Sequence, residues 1–286
     1  MTQPRLNRLL GPDGRCLVVA IDHGQFNEPS WLGRIRDMEE IVAAHVAAGP
    51  DALTLAAGQA PLLQSVPGRQ RPSLIMRSDH TNAYSAARSG PAFCFALDNA
   101  VERAVALDAA AVVCGLLSIP GEPGLYRECL ENFTRMRRAT EQAGLPLIAE
   151  VLAMTLRADV PGVTDDVEVI ATLARQAAEL GADIVKTDPT ARTEDYAEVV
   201  AAAGGRPVFV SGGSPVPGEL KAGEVEAATI RRSAGLLAAG AAGLSYGRPV
   251  VWAGHPPALT RALAALVHDG ATVEQAIVLY EEGSAA

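Results

Sequence analysis

Lysine is nearly missing from this chain. Only two of its 24 basic residues are lysines, Lys186 and Lys221, and the rest are arginines. A codon bias toward arginine and alanine accounts for missing surface lysines. It does not account for Lys186, kept near the end of an apolar run at residues 181–187, GADIVKT. Other absences narrow the function classes. Aromatic residues make up 4% of the chain and no basic cluster is interleaved with them. With a net charge of −9, this argues against nucleic acid or an anionic membrane as the partner. No apolar run reaches the roughly 20 residues of a membrane span. The first residues, MTQPRLNRLLG, hold no apolar core of signal-peptide length, so a cytoplasmic protein is expected. The four cysteines, Cys16, Cys94, Cys114 and Cys129, form no CxxC pair and read as free thiols in a reducing compartment. Neither HxH nor HExxH occurs, so no catalytic metal or other cofactor is expected, and no GxGxxG follows the first strand-like run, as a doubly wound open sheet would normally show.

What is present is an alternation. Hydrophobic residues make up 49% of the 286 positions, enough for a substantial core. Eight short runs, at residues 16–22, 52–56, 73–77, 111–116, 146–151, 182–187, 207–211 and 242–247, are almost continuously apolar, as parallel strands buried on both faces are. Longer alanine-rich segments with helical spacing separate them, at 38–48, 99–107, 125–143, 166–180, 193–203, 225–239 and 257–268. Glycines 49, 144, 181, 204 and 240 mark helix ends. Thr272 with Gln275 three residues on is a capping-box pattern for a last helix over 271–282. Eight β-then-α units predict a single-domain α/β fold, a (β/α)8 TIM barrel over 16–286, with residues 1–15 as an N-terminal extension. A doubly wound open sheet is the structural rival. Loops rich in proline and glycine at 120–124, 161–162 and 214–223 interrupt the pattern.

In a barrel the active site lies at the C-terminal ends of the strands. Those ends carry Asp22-His23-Gly24, Arg77-Ser78-Asp79-His80, Glu150, Lys186, Ser211-Gly212-Gly213 and Gly247-Arg248. Burial of an unpaired amine depresses its pKa and frees it as a nucleophile toward a carbonyl. Lys186 therefore reads as a Schiff-base former, or else as an ion-pair partner of Asp188 or another carboxylate. Asp22 reads as a proton acceptor or as the group holding Lys186, and otherwise as a structural ion partner. His23 and Asp79 are candidate substrate contacts. Glycine-rich turns after the seventh and eighth strands, with Arg248 beside them, suit a phosphate group. The alternative there is two tight turns and a surface arginine. Lys221 reads as a solvated loop residue.

Four motifs together, VVAIDHG at 18–24, GADIVKT at 181–187, PVFVSGG at 207–213 and GAAGLSYGR at 240–248, resemble the archaeal-type class I fructose-bisphosphate aldolases, the DhnA-type family. The tail at 258–276 is similar as well. The resemblance implies a (β/α)8 barrel, a lysine Schiff base at Lys186, an active-site aspartate at Asp22, no required metal, and homo-oligomers. It also implies phosphate-binding turns at Ser211, Gly212, Gly213, Gly247 and Arg248. The family's strand five supplies a tryptophan and, two residues later, an acid/base tyrosine; here Glu150 and Leu152 stand in those places. A glutamate among apolar strand residues is expected to have a raised pKa and to replace that tyrosine as proton shuttle. Its alternative is an ion pair with Lys186 or Arg77. The implied function is a metal-independent, Schiff-base aldolase or related carbon–carbon lyase acting on a phosphorylated ketose. Two alternatives stand beside it. One is group transfer, as in family members that make an aromatic-amino-acid precursor or thiolyse phosphorylated autoinducer-2. The other is a non-catalytic barrel that binds a sugar phosphate.

Overall fold

Eight parallel strands close into a ring. The computed structural model of the protein describes residues 4–33, 35–68, 71–85, 90–157, 160–213 and 223–285; Lys221 and the loop over 214–222 lie outside them. The strands are β1 (Cys16–Ala20), β2 (Ala52–Ala56), β3 (Ser73–Arg77), β4 (Ala111–Ser118), β5 (Leu147–Arg157), β6 (Ile184–Thr187), β7 (Val208–Ser211) and β8 (Gly243–Tyr246). Each pairs in parallel with the next. The ring closes where β8 returns to β1, with Leu17 opposite Leu244. This is the expected (β/α)8 barrel and excludes the open doubly wound sheet.

The near-continuous apolar runs conceal a period of two. Successive strand side chains face opposite sides. One parity, including Leu17, Leu53, Leu74, Leu147, Val185 and Leu244, joins the large core between the ring and the helices. The other parity, Val18, Ala52, Ile75, Val113, Ile148, Ile184 and Phe209, forms a second cluster. Two residues further along these rows stand Ala20, Thr54, Arg77, Gly115, Glu150, Lys186 and Ser211. The barrel interior thus changes from apolar to polar toward the C-terminal ends of its strands.

The segment before β1 packs under the barrel. A 3-10 turn (Pro4–Arg8) leads to Leu9, which is 1% exposed and sits in the inner cluster. Burying one leucine contributes about 2 kcal/mol. The Arg8 carbonyl accepts from Ser73 Oγ at 2.7 Å, and Arg5 donates to the Ala109 carbonyl at 3.0 Å.

The outer helices are α1 (Met38–Ala48), α2 (Ala60–Gln64), α3 (Ala100–Ala106), α4 (Pro123–Ala143), α5 (Val167–Glu179), α6 (Tyr196–Ala202), α7 (Glu224–Ala238), α8 (Arg248–Val251), α9 (Pro256–His268) and α10 (Val273–Ala285). Their ends follow from local chemistry. Asp37 caps α1 by accepting from the Glu40 amide at 3.0 Å, and Gly49 ends that helix at φ +75°. Thr272 and Gln275 exchange the expected capping bonds at 2.8 and 3.2 Å. Some elements depart from expectation. Strand five continues to Arg157 because Val160–Val163 folds back on it antiparallel, so Pro161 and Gly162 lie in a strand rather than a loop. A 3-10 turn (Thr193–Asp195) precedes α6 where one helix is expected, and the short α2 and α8 carry too few residues to show a periodicity. Among the described residues no helix is long and apolar enough to cross a membrane.

Candidate active site

The polar end of the barrel is organised around Arg77, which closes β3 at 2% exposure. Its guanidinium meets three carboxylates from three places. Nε donates to Asp22 Oδ2 at 2.7 Å and Nη1 to Asp79 Oδ1 at 3.0 Å, while Nη2 donates to Glu150 Oε2. Burial opposes the arginine's charge, but the carboxylates, Glu150 foremost, hold it firmly protonated. Glu150 is paired laterally with Lys186 across the β5–β6 register, and Lys186 Nζ lies 2.5 Å from Glu150 Oε1. Lys186 is itself 6% exposed.

This arrangement corrects one expectation. Glu150 is not a lone carboxyl with a raised pKa. Burial does push it upward, but Arg77 and Lys186 outweigh burial and hold it down at about 2. It is an ion-pair partner, and it, rather than Asp188, is the carboxylate on Lys186. Asp22 is ion-paired with Arg77 through one of its oxygens.

Asp188 lies two residues beyond Lys186. Its Oδ1 accepts from Ser211 Oγ, and its Oδ2 has no partner although buried. Burial pushes this carboxyl up to about 6. His23 enters on the 3-10 turn after β1 (His23–Phe26). Burial lowers its pKa to about 4, so the ring is neutral at physiological pH, and its Nδ1 is unpartnered.

One pocket is lined by nine of the ten expected site residues: Asp22, His23, Glu150, Lys186, Ser211, Gly212, Gly213, Gly247 and Arg248. The tenth, Asp79, is not in its wall. Both Asp79 oxygens are taken, one by Arg77 and the other by the Gly115 amide at 2.5 Å, so it supports Arg77 from behind. At the turns after β7 and β8, glycine is needed for close packing. A Cβ on Gly247 would stand 2.8 Å from His23 Nε2, and one on Gly212 would stand 2.6 Å from Pro249 Cδ. Arg248 is fixed at these turns. It donates to the Gly213 carbonyl at 3.1 Å and its guanidinium lies 4.3 Å from the Trp31 ring centre. The rest of the expected proline-glycine loop after β7 lies outside the described residues.

Sequence reasoning missed the aromatic part of the wall, formed by Phe26, Trp31 and Tyr84. The ring centres of Trp31 and Tyr84 are 4.7 Å apart, and those of Phe26 and Tyr84 are 5.5 Å apart. Tyr84 reaches the mouth because β3 is followed by a small hairpin, Asp79–Thr81 against Cys94–Ala96. Burial, with the negative charges of Asp188 and Glu150, pushes the Tyr84 hydroxyl upward, so it remains a donor. The available signal was scarcity: one of the chain's two tryptophans, Trp31, stands eight residues after His23. Among the described residues, no three His, Cys, Asp or Glu side chains are grouped as ligands for a metal ion.

Residues 16–253 match the model of the DeoC/LacD family of aldolases. The chain belongs to this family. Like other DeoC/LacD members it is an aldolase-type enzyme built on a (β/α)8 barrel, and three similar proteins bear on its site. An uncharacterized aldolase of Saccharolobus solfataricus is 31% identical over 269 residues, covering 92% of this chain and 93% of that one. The 3-hydroxy-5-phosphonooxypentane-2,4-dione thiolase of Escherichia coli K12 is 29% identical over 286 residues, covering 97% and 86%. An archaeal fructose-1,6-bisphosphate aldolase, solved with its catalytic lysine covalently bound to the carbinolamine intermediate of the substrate, superposes with a TM-score of 0.75. It is 27% identical and covers 93% of this chain and 98% of that one.

Proposed function

We propose that this DeoC/LacD protein cleaves or forms a carbon–carbon bond in a phosphorylated ketose through an imine on Lys186. The observation that carries the reading is the Lys186–Glu150 contact of 2.5 Å inside the pocket. When the amine adds to a ketone and water leaves, the resulting protonated imine keeps the positive charge beside an ionised carboxylate. Glu150 stabilises that cation, and Arg77 keeps Glu150 ionised and in place. The imine is the electron sink for breaking the bond beyond it. Asp22, with one oxygen committed to Arg77, and the neutral His23 bind substrate hydroxyls. Ser211, Gly212, Gly213, Gly247 and Arg248 hold the phosphate, with Arg248 pre-positioned by Trp31 and the Gly213 carbonyl. Asp79 acts only through Arg77.

The reading extends to the setting. Four buried free thiols support a reducing cytoplasm. Exposed apolar side chains, Phe95 at 57% and Val278 at 48%, support self-association into a homo-oligomer. The test is product analysis by NMR with ketose phosphates: the protein releases an aldehyde and a ketone phosphate, and Lys186→Met does not. A second reading, group transfer to an acceptor, is favoured by Glu150 and Leu152 standing on strand five and by the similarity to the thiolase. If product forms only when a thiol acceptor is supplied, this second reading replaces cleavage.

A further inference from the structure

Imine chemistry needs a group that moves a proton to and from substrate carbon or hydroxyl near neutral pH. Glu150 cannot serve, because Arg77 and Lys186 hold it ionised. Tyr84, His23 and Asp22 also line the pocket with Lys186. Tyr84 is held protonated, and His23 has lost its basicity to burial. Asp22 has one oxygen bound to Arg77.

Asp188 differs from all of these. It follows Lys186 by two residues, the spacing that returns a side chain to the same face of an extended strand. It lines the pocket and is 4% exposed. Ser211 fixes one of its oxygens, and the other is buried with no partner. An unpaired buried carboxylate oxygen costs free energy that a proton or a substrate hydroxyl would relieve. We infer that Asp188 is the general acid/base of this active site, taking the place of the tyrosine that strand five lacks.

The inference rests on the imine reading of Lys186, and the cleavage step balances as follows. Ionised Asp188 takes the proton of the hydroxyl on the carbon beyond the bond to be broken. The O–H pair becomes the C=O of the departing aldehyde. The pair of the breaking C–C bond forms the C=C of an enamine, and the C=N π pair moves to nitrogen. Neutral Asp188 then returns the proton to the enamine carbon, restoring the protonated imine and its own charge. Water hydrolyses the imine, freeing the ketone and Lys186.

The charged and polar groups around Asp188 set the pH at which it works. Burial raises it, Glu150 on β5 raises it further, and Ser211 on β7, Lys186 on β6 and Arg248 after β8 lower it, leaving it near 6. Tyr84 and Tyr196 (on α6) also face it and stay neutral. As a base it must be ionised, so the rate of proton abstraction falls as pH drops through about 6.

Two measurements on the full chain with dihydroxyacetone phosphate separate Asp188 from Lys186. Borohydride trapping reads imine formation; exchange of the carbon-bound proton in D2O reads the proton shuttle. In Asp188→Asn, which keeps the side-chain shape, trapping at Lys186 stays within threefold of the unaltered protein and exchange falls by roughly 10²-fold or more. Exchange within threefold, with trapping intact, overturns the assignment of Asp188. Absence of both signals in the unaltered protein overturns instead the imine reading beneath it. Ser211→Ala supplies an independent check. Losing the hydroxyl that stabilises the charged carboxylate moves the acid limb of the exchange profile to higher pH. A limb that stays in place contradicts the inference.

Discussion

Glu150 ties Lys186 to Arg77: one carboxylate oxygen lies 2.5 Å from Lys186 Nζ and the other accepts from Arg77 Nη2. A lysine on β6, a glutamate on β5 and an arginine on β3 form one chain of charges from the pocket wall into the barrel. Replacing the middle member tests its assigned work. Glu150→Gln removes the charge beside the imine, and turnover falls by roughly 10²-fold. Because Glu150 titrates at about 2, this variant loses no limb of the pH–rate profile between pH 5 and 8. Loss of such a limb would restore Glu150 as the proton shuttle.

Arg77 balances three carboxylates while almost wholly enclosed. Removing one member of a buried ion pair leaves an uncompensated charge and costs about 3–5 kcal/mol. Arg77→Met therefore lowers unfolding free energy in urea by about that range, as Asp22 and Asp79 lose their cation and Glu150 keeps only Lys186. A loss under 1 kcal/mol contradicts the central place given to this side chain.

Gly247 packs its α-carbon against the His23 ring. Gly247→Ala places a methyl 2.8 Å from Nε2 and 3.4 Å from the Ala20 carbonyl, which forces the imidazole from its seat. KM for a ketose phosphate rises more than kcat falls, since binding groups move and Lys186 does not. Gly124→Ala is the control, because a Cβ there meets nothing within 4 Å. Equal kinetics for both variants contradict the packing account.

His268, at the end of α9, clamps the barrel floor. Its ring nitrogens lie 2.8 Å from Asp51 and 2.8 Å from Asp13. The Asp51 bond foremost, with Asp13, raises its pKa from 6.5 to about 9, against the effect of burial. The folded value exceeds the unfolded one, so the stabilisation is complete below about pH 6.5 and is lost as pH rises through about 9. Urea midpoints measured at pH 6, 8 and 10 fall across that window, and the dependence shrinks in His268→Gln. A pH-independent midpoint difference between the two proteins refutes the clamp.

The legible and illegible parts of this chain divide along a physical line. Eight apolar runs and their glycine stops could be read because buried parallel strands and helix ends leave local signatures. Lys186, Asp22 and the turns after β7 and β8 could be placed because chain order puts them at one end of the ring. The charge state of Glu150 could not. Its sequence neighbours Ala149 and Val151 are apolar, but they belong to the outer core, whereas Glu150 shares the inner face with Arg77 and Lys186 on other strands. The aromatic wall was equally hidden, because Phe26, Trp31 and Tyr84 converge from two separate loops. In the sequence Asp188 reads only as a partner for Lys186; in the fold Glu150 takes that lysine and one Asp188 oxygen is left unpaired.

The central claim is an imine on Lys186. The protein is incubated with dihydroxyacetone phosphate, reduced with borohydride, digested, and its peptides weighed. The account predicts one adduct, on the peptide containing Lys186, and none in Lys186→Met or without borohydride. An unmodified Lys186 peptide in a protein that cleaves a longer ketose phosphate contradicts it.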